Sequence, residues 1–225
     1  MKYIIGFFIL FSPFFSSAQV KNSLWVEYYP DINLNGGKWK LSPEVSYRSD
    51  DFSGAHTVYF RPQATYKINN TFSVTGALAY FVSWDDFAVN EREFSAYQAV
   101  TAKSPSLGRF SMALRARFEQ MFVKAEPETS YNFGFRMRFM PSVTYLLPVM
   151  EEKGLALTAF METFTFPSAS HRDYYDNGVS FGGKFSFSPV EKLKIELEYH
   201  RYIAHKEIGD VNSNRFRIMI RHSIL

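Results

Sequence analysis

The sequence predicts an all-β protein, an antiparallel up-and-down transmembrane β-barrel of roughly ten to twelve strands. Three observations carry that expectation. Segments with a residue period of two recur along nearly the whole chain, apolar on one face and polar or charged on the other. Short turns alternate with longer polar loops between those segments. An export signal stands in front of them all.

The export signal occupies residues 1–18, where Lys2 precedes an apolar run from Tyr3 to Phe15, and Ser16-Ser17-Ala18 offers small residues to a signal peptidase. The run is broken by Ser12 and Pro13 and falls short of the roughly 20 residues a retained membrane helix needs. The mature chain therefore begins at Gln19, and residues 19–225 form one barrel domain.

Composition narrows the class further. With no cysteine there is no site for lipid acylation, no disulfide framework and no thiolate chemistry. Aromatic content is high at 18%, with 24 Phe and 14 Tyr, yet the mean hydropathy is slightly negative. That combination fits strands whose apolar residues are diluted by polar ones at every second position, and no later stretch is uniformly apolar enough for a membrane helix. A formal charge of +3, spread through the strands, excludes a nucleic-acid stripe.

The first hairpin is the clearest. Leu24, Val26, Tyr28, Ile32 and Leu34 interleave with Ser23, Glu27, Asp31 and Asn33; Trp39, Leu41, Val45 and Tyr47 interleave with Lys38, Lys40, Ser42, Glu44 and Arg48. Asn35-Gly36-Gly37 between them tolerates the positive φ of a tight turn. Further strands are expected over 55–68, 71–84, 92–103, 109–122, 130–147, 154–166, 178–188, 191–203 and 213–225, each long enough for a tilted crossing of about 9–11 residues. Short connections at 35–37, 69–70, 104–108, 151–154 and 189–191 alternate with longer ones near 49–54, 85–91, 124–130, 167–177 and 204–212. Outer-membrane barrels keep short turns on the periplasmic side and long loops outside, which orients this chain with its C-terminus toward the periplasm. The count comes to about eleven, whereas single-chain bacterial barrels normally have an even number, so either one strand is miscounted or residues 22–34 lie outside the closed wall.

Parity assigns the two faces. Phe72, Val74, Leu78, Tyr80, Val82 and Trp84 point to lipid, as do Phe110, Met112, Leu114, Ala116 and Phe118; Tyr131, Phe133, Phe135, Met137, Phe139 and Val143; and Leu193, Ile195, Leu197 and Tyr199. The warrant is energetic, because an Arg on the lipid face at mid-membrane costs about 2–4 kcal/mol and a lumenal one need not. The lumen then receives Arg61, Arg115, Arg117, Arg136, Arg138, Lys184, Arg215 and Arg217 together with Glu119, Glu162, Glu196 and Glu198. Two readings follow: a pathway or cleft for a small anionic solute, or a paired network that fills a narrow barrel, the latter being the usual fate of small barrels.

An enzymatic alternative, an outer-membrane lipid acyl hydrolase, would need a serine beside a histidine base. His200, two residues beyond Glu198 on the same lumenal face, is the best base candidate, but no Gly-x-Ser-x-Gly elbow accompanies it. Polar loop residues Ser170, His171, Arg172, Asp173 and Asp176, then His205, Glu207 and Asp210, and the pair Asp85-Asp86 lack the spacing of a metal site and read as solvated loops. No phosphate-cradling loop followed by a helix occurs, and no cofactor is implied.

Leu24-Trp25 in the first strand, Lys38-Trp39-Lys40-Leu41, Arg48 at the end of the second, and Tyr66-Lys67-Ile68-Asn69-Asn70-Thr71-Phe72 resemble an uncharacterised family of Bacteroidetes outer-membrane barrels, domain of unknown function 2490. The resemblance covers the mature chain and implies location and shape, with outer-membrane lipid as the surrounding partner, but no activity. The sequence thus points to a narrow channel, a transport component or an envelope structural protein in the outer membrane, and carries no signal for an oligomeric state. Export and cleavage predict a mature N-terminus at Gln19; intact-mass measurement of protein recovered from the envelope fraction checks this, and retention of Met1 would refute it.

Overall fold

The structure, a computed structural model, describes residues 20–50, 55–85, 88–148, 154–167, 177–205 and 211–224. The export segment, Asp86 and the loop residues 170–176 and 206–210 singled out above lie outside them. One sheet contains β1 (Lys21–Leu34), β2 (Trp39–Leu41), β3 (Glu44–Asp50), β4 (His56–Arg61), β5 (Gln63–Lys67), β6 (Phe72–Asp85), β7 (Ala88–Lys103), β8 (Phe110–Ala125), β9 (Asn132–Leu146), β10 (Ala156–Thr165), β11 (Asn177–Val190), β12 (Leu193–His205) and β13 (Val211–Ser223). Strands β2 and β3 are halves of one stave and β4 and β5 halves of the next, so the thirteen strands make eleven staves.

Prolines cause both breaks. Registers on either side place Pro30 opposite Pro43, and Pro43 opposite Pro62, in a lateral row across three staves. The sequence reading ran unbroken strands through these positions; a proline has no N–H for the ladder, and three abreast interrupt it locally. The backbone bonds Ser42 N–H to Gln63 O, 3.0 Å, and Leu78 N–H to Pro62 O, 3.2 Å, carry the wall past the gap. The first turn is as expected, with Asn35, Gly36 and Gly37 at φ of 51°, 63° and 82°. At the next short turn Asn69 Oδ1 accepts from the N–H groups of Thr71 and Phe72, at 2.8 and 2.7 Å.

The barrel closes by pairing β1 with β13, and this pair is parallel, running from Lys21↔Ser213 to Asp31↔Ser223. The neighbouring pairs around the rest of the wall are antiparallel. In a meander with an odd number of staves the first and last run the same way, so parity itself demands one parallel seam. The count of eleven stands, the first segment belongs to the wall, and the expected all-antiparallel pairing is corrected at this one place.

Outside, the strands present Phe60, Leu78, Tyr80, Met112, Leu114, Phe139, Val143, Leu197 and Phe216, all exposed. Inside, Tyr29, Tyr59, Phe81, Tyr97, Glu27, Glu119, Glu162 and His200 are buried, so the core of the protein is the barrel interior. Aromatic pairs mark both rims: Trp39 with Tyr66 and Phe110 with Tyr145 at the short-turn end, Tyr47 with His56 and Phe122 with Phe133 toward the loop end. Among the described residues no helix is long and apolar enough to cross a membrane.

Gly182 is where β11 lets β12 come close. A Cβ added there would sit 2.2 Å from the Tyr199 carbonyl oxygen and 2.5 Å from His200 Cβ, and neither can move without opening the ladder. Gly76, on the outer face, has nothing within 4 Å of such an atom. Gly182→Ala is therefore expected to lower stability by about 1–3 kcal/mol, the cost of overpacking, while Gly76→Ala leaves it nearly unchanged. Denaturant titration of the folded band in detergent checks this; equal midpoints for the two variants would refute it.

Candidate functional site: the charged lumen

The barrel encloses a cavity of about 460 Å³. Its wall includes Arg61, Arg115, Arg117, Arg136, Arg138, Glu162, Lys184, Glu196, Glu198, His200, Arg215 and Arg217. Glu119 lies behind this surface, buried against three arginines. Strand parity puts these groups inside; the register decides which of them meet.

Three networks result. At the seam, Arg217 on β13 donates to Glu27 on β1, Nη2 to Oε2 at 2.7 Å, and through Nη1 to Glu198 Oε1 on β12, also 2.7 Å. The Glu27 side chain is 0% exposed and also accepts from Tyr29 Oη at 2.7 Å. Tyr59 Oη donates to Glu44, whose other oxygen takes Arg61 Nη1 at 3.0 Å. Across β8, β9 and β10, Arg138 holds Glu162 at 2.6 Å, Arg115 holds the same carboxylate at 2.9 Å, and Glu119 accepts from Arg117 at 3.1 Å and from Arg136. Toward the short-turn end, Glu196 gathers Lys184, Lys194 and Arg221 at 3.2, 3.1 and 3.0 Å, and Asp31 takes Lys40 at 2.7 Å.

Buried charges are tolerated when each has a partner and its remaining hydrogen-bonding capacity is used. Most of the lumenal arginines meet the first condition, each having a carboxylate partner, although Arg61, Arg115 and Arg117 keep a buried Nε without an acceptor. Arg215 does not: it has no carboxylate within ion-pair distance among the described residues, and instead lies over the Tyr202 ring at 4.0 Å and the Trp25 ring at 5.2 Å.

His200 Nδ1 stands 3.1 Å from Glu198 Oε1, with its ring edge-on to Trp25 and Phe160 at 6.0 Å. The same carboxylate oxygen is held by Arg217, and among the described residues no serine hydroxyl is hydrogen-bonded to the imidazole. Among the described residues, then, no serine stands bonded to the pair as the hydrolase alternative would have it. Among the described residues no three His, Asp or Glu side chains come together as a metal set.

The sequence reading left Glu27, Glu44, Arg48, Asp31, Arg221 and Trp25 out of the lumenal set. Parity was available for all of them, since each alternates with an apolar neighbour such as Val26, Val45 or Ile220. The missing signal was partnership: nothing in the chain's linear order pairs Glu27 with Arg217, 190 residues away.

Apolar outside, charged inside and closed, the wall and its lumen define a porin-like β-barrel. Among solved structures, that of the NanC porin in a rhombohedral crystal form matches with a TM-score of 0.52 at 10% identity, covering 90% of this chain and 99% of that one, a likeness of fold. The chain belongs to the family described as "Protein of unknown function (DUF2490)", which matches residues 22–212. No curated protein matches the sequence.

Glu27 is the group whose loss should be felt most. Glu27→Ala leaves Arg217 with only one of its two carboxylates and two tyrosine hydroxyls with one acceptor fewer, and is expected to cost about 3 kcal/mol or more. Unfolding of the detergent-solubilised barrel in guanidinium measures it; a midpoint within error of the parent would remove Glu27 from its role at the seam.

Proposed function

We propose that this chain is an exported outer-membrane β-barrel, freed of residues 1–18 and embedded in lipid, that acts as a narrow channel for small solutes, with preference for anions. The observation that supports this best is the charged cavity of about 460 Å³ inside a closed, outwardly apolar wall. A wall of eleven staves is wider than the eight that side chains alone fill, so a lumen partly occupied by paired charges leaves room for hydrated ions but not for large solutes. Cations outnumber carboxylates on the cavity wall, ten to seven, which gives the passage its sign.

Reconstitution into a planar bilayer tests the reading. Resolved, small conductance steps are expected, with a reversal potential in a salt gradient that reports anion preference. Neutralising Arg136 and Arg138 to Gln should move that potential toward cation preference, because Glu119 and Glu162 then lose their main partners. Silent bilayers from protein shown to be folded by heat-modifiable migration, combined with phospholipid hydrolysis lost in His200→Ala, would replace the channel with the hydrolase.

A further inference from the structure

Once the lumenal ion pairs are accounted for, two cavity-lining guanidiniums remain without a carboxylate among the described residues, and they occur together. Arg48 on β3 lies over the Trp25 ring at 3.9 Å and the Tyr59 ring at 4.4 Å; Arg215 on β13 lies over the same Trp25 at 5.2 Å and over Tyr202 at 4.0 Å. Trp25 stands between them in the wall, paired with Arg48 on one side and two residues from Arg215's partner Ser23 on the other. Asp50, which lines the same cavity, is held by Ser23 Oγ at 2.7 Å and forms no ion pair with either arginine.

Stacking on aromatic faces holds a guanidinium in place while leaving its in-plane N–H edge free to donate. Two donors here are buried with no protein acceptor, Arg48 Nε and Trp25 Nε1. Buried donors normally have partners, and a group of them beside two unpaired positive charges is arranged for an acceptor that carries negative charge. We infer that Arg48, Trp25 and Arg215 form a binding station for an oxyanion, the carboxylate or phosphate group of a small solute. Its place in transport rests on the channel proposed above; the binding itself does not, and is read where nothing is conducted.

The chain has three tryptophans, so a W39F/W84F background leaves Trp25 as the sole emitter. In detergent micelles this variant is titrated with sodium phosphate and, separately, sodium acetate, each against sodium chloride at constant ionic strength. A saturable change in Trp25 emission is expected with an oxyanion and not with chloride. Saturation by phosphate alone assigns a phosphate group, by acetate alone a carboxylate, and by both the shared chemistry.

In R48Q/R215Q the apparent affinity should fall about tenfold or more, and in R48K/R215K, which keeps charge but loses the planar fork, by less. Heat-modifiable migration confirms folding in each, and the single variants R48Q and R215Q decide the matter if the double variant does not fold. Curves unchanged by these substitutions, or chloride matching both oxyanions, would overturn the station. Silent bilayers with binding intact would remove the channel alone, and conductance without binding would remove the station alone.

Discussion

Eleven staves cannot close a meander without one parallel pair, and that constraint shapes the rest of the molecule. A parallel ladder has slanted bonds and is slightly weaker per residue than an antiparallel one, and here it joins the two ends of the chain, with no turn to hold its register. Side chains supply what the turn would have done. Arg217 reaches across the seam to Glu27, Asn214 donates to Asn22 at 3.1 Å, Tyr28 Oη meets His222 Nδ1 at 3.2 Å, and Ile224 N–H donates to Asp31 O at 2.9 Å. A slip of one residue would turn Arg215 and Arg217 to the outer face and Phe216 and Ile218 inward, so burial and ion pairing enforce the same register.

The second constraint is the width of the barrel. Inward side chains meet those of the same, the adjacent and the next-but-one staves, and a charge that faces inward is either paired or costly. The arginines of β8 and β9 meet carboxylates on β8 and β10, and Arg217 links β1 to β12, so the ion pairs cross-brace staves that the backbone ladder joins only to their neighbours. Removing one carboxylate therefore alters both the mechanical closure of the wall and the electrostatic balance of the lumen. Stability and the charge of the lumen draw on the same residues.

Much of this was legible in the linear order of residues. Alternation around Phe110–Phe118 and Leu193–Tyr199 placed the correct face outward, and Asn35-Gly36-Gly37 marked its turn because only such residues accept three successive positive φ values. What stayed hidden depends on three dimensions. The row formed by Pro30, Pro43 and Pro62 exists only once three staves are in register, and the direction of the seam follows from the count of staves rather than from any local pattern. Glu27 and Arg48 read only as polar residues alternating with apolar ones, although one becomes the most buried acid of the seam and the other has no ion pair among the described residues.

The difference between those two residues shows how filler and filter arise from one wall. A parallel seam makes the inward positions of β1 and β13 advance together, Ser23 with Arg215, Trp25 with Arg217 and Glu27 with Met219. Arg217 leans one inward step along the seam to reach Glu27, and so is neutralised. Arg215, one step nearer the loops, is paired with Ser23 on β1 and His200 on β12 and lies over Trp25 and Tyr202, and among the described residues it forms no ion pair. Arg48 faces the same tryptophan from β3. Arg215 and Arg48, the two cavity-lining arginines without an ion pair among the described residues, thus lie together toward the loop end of the lumen.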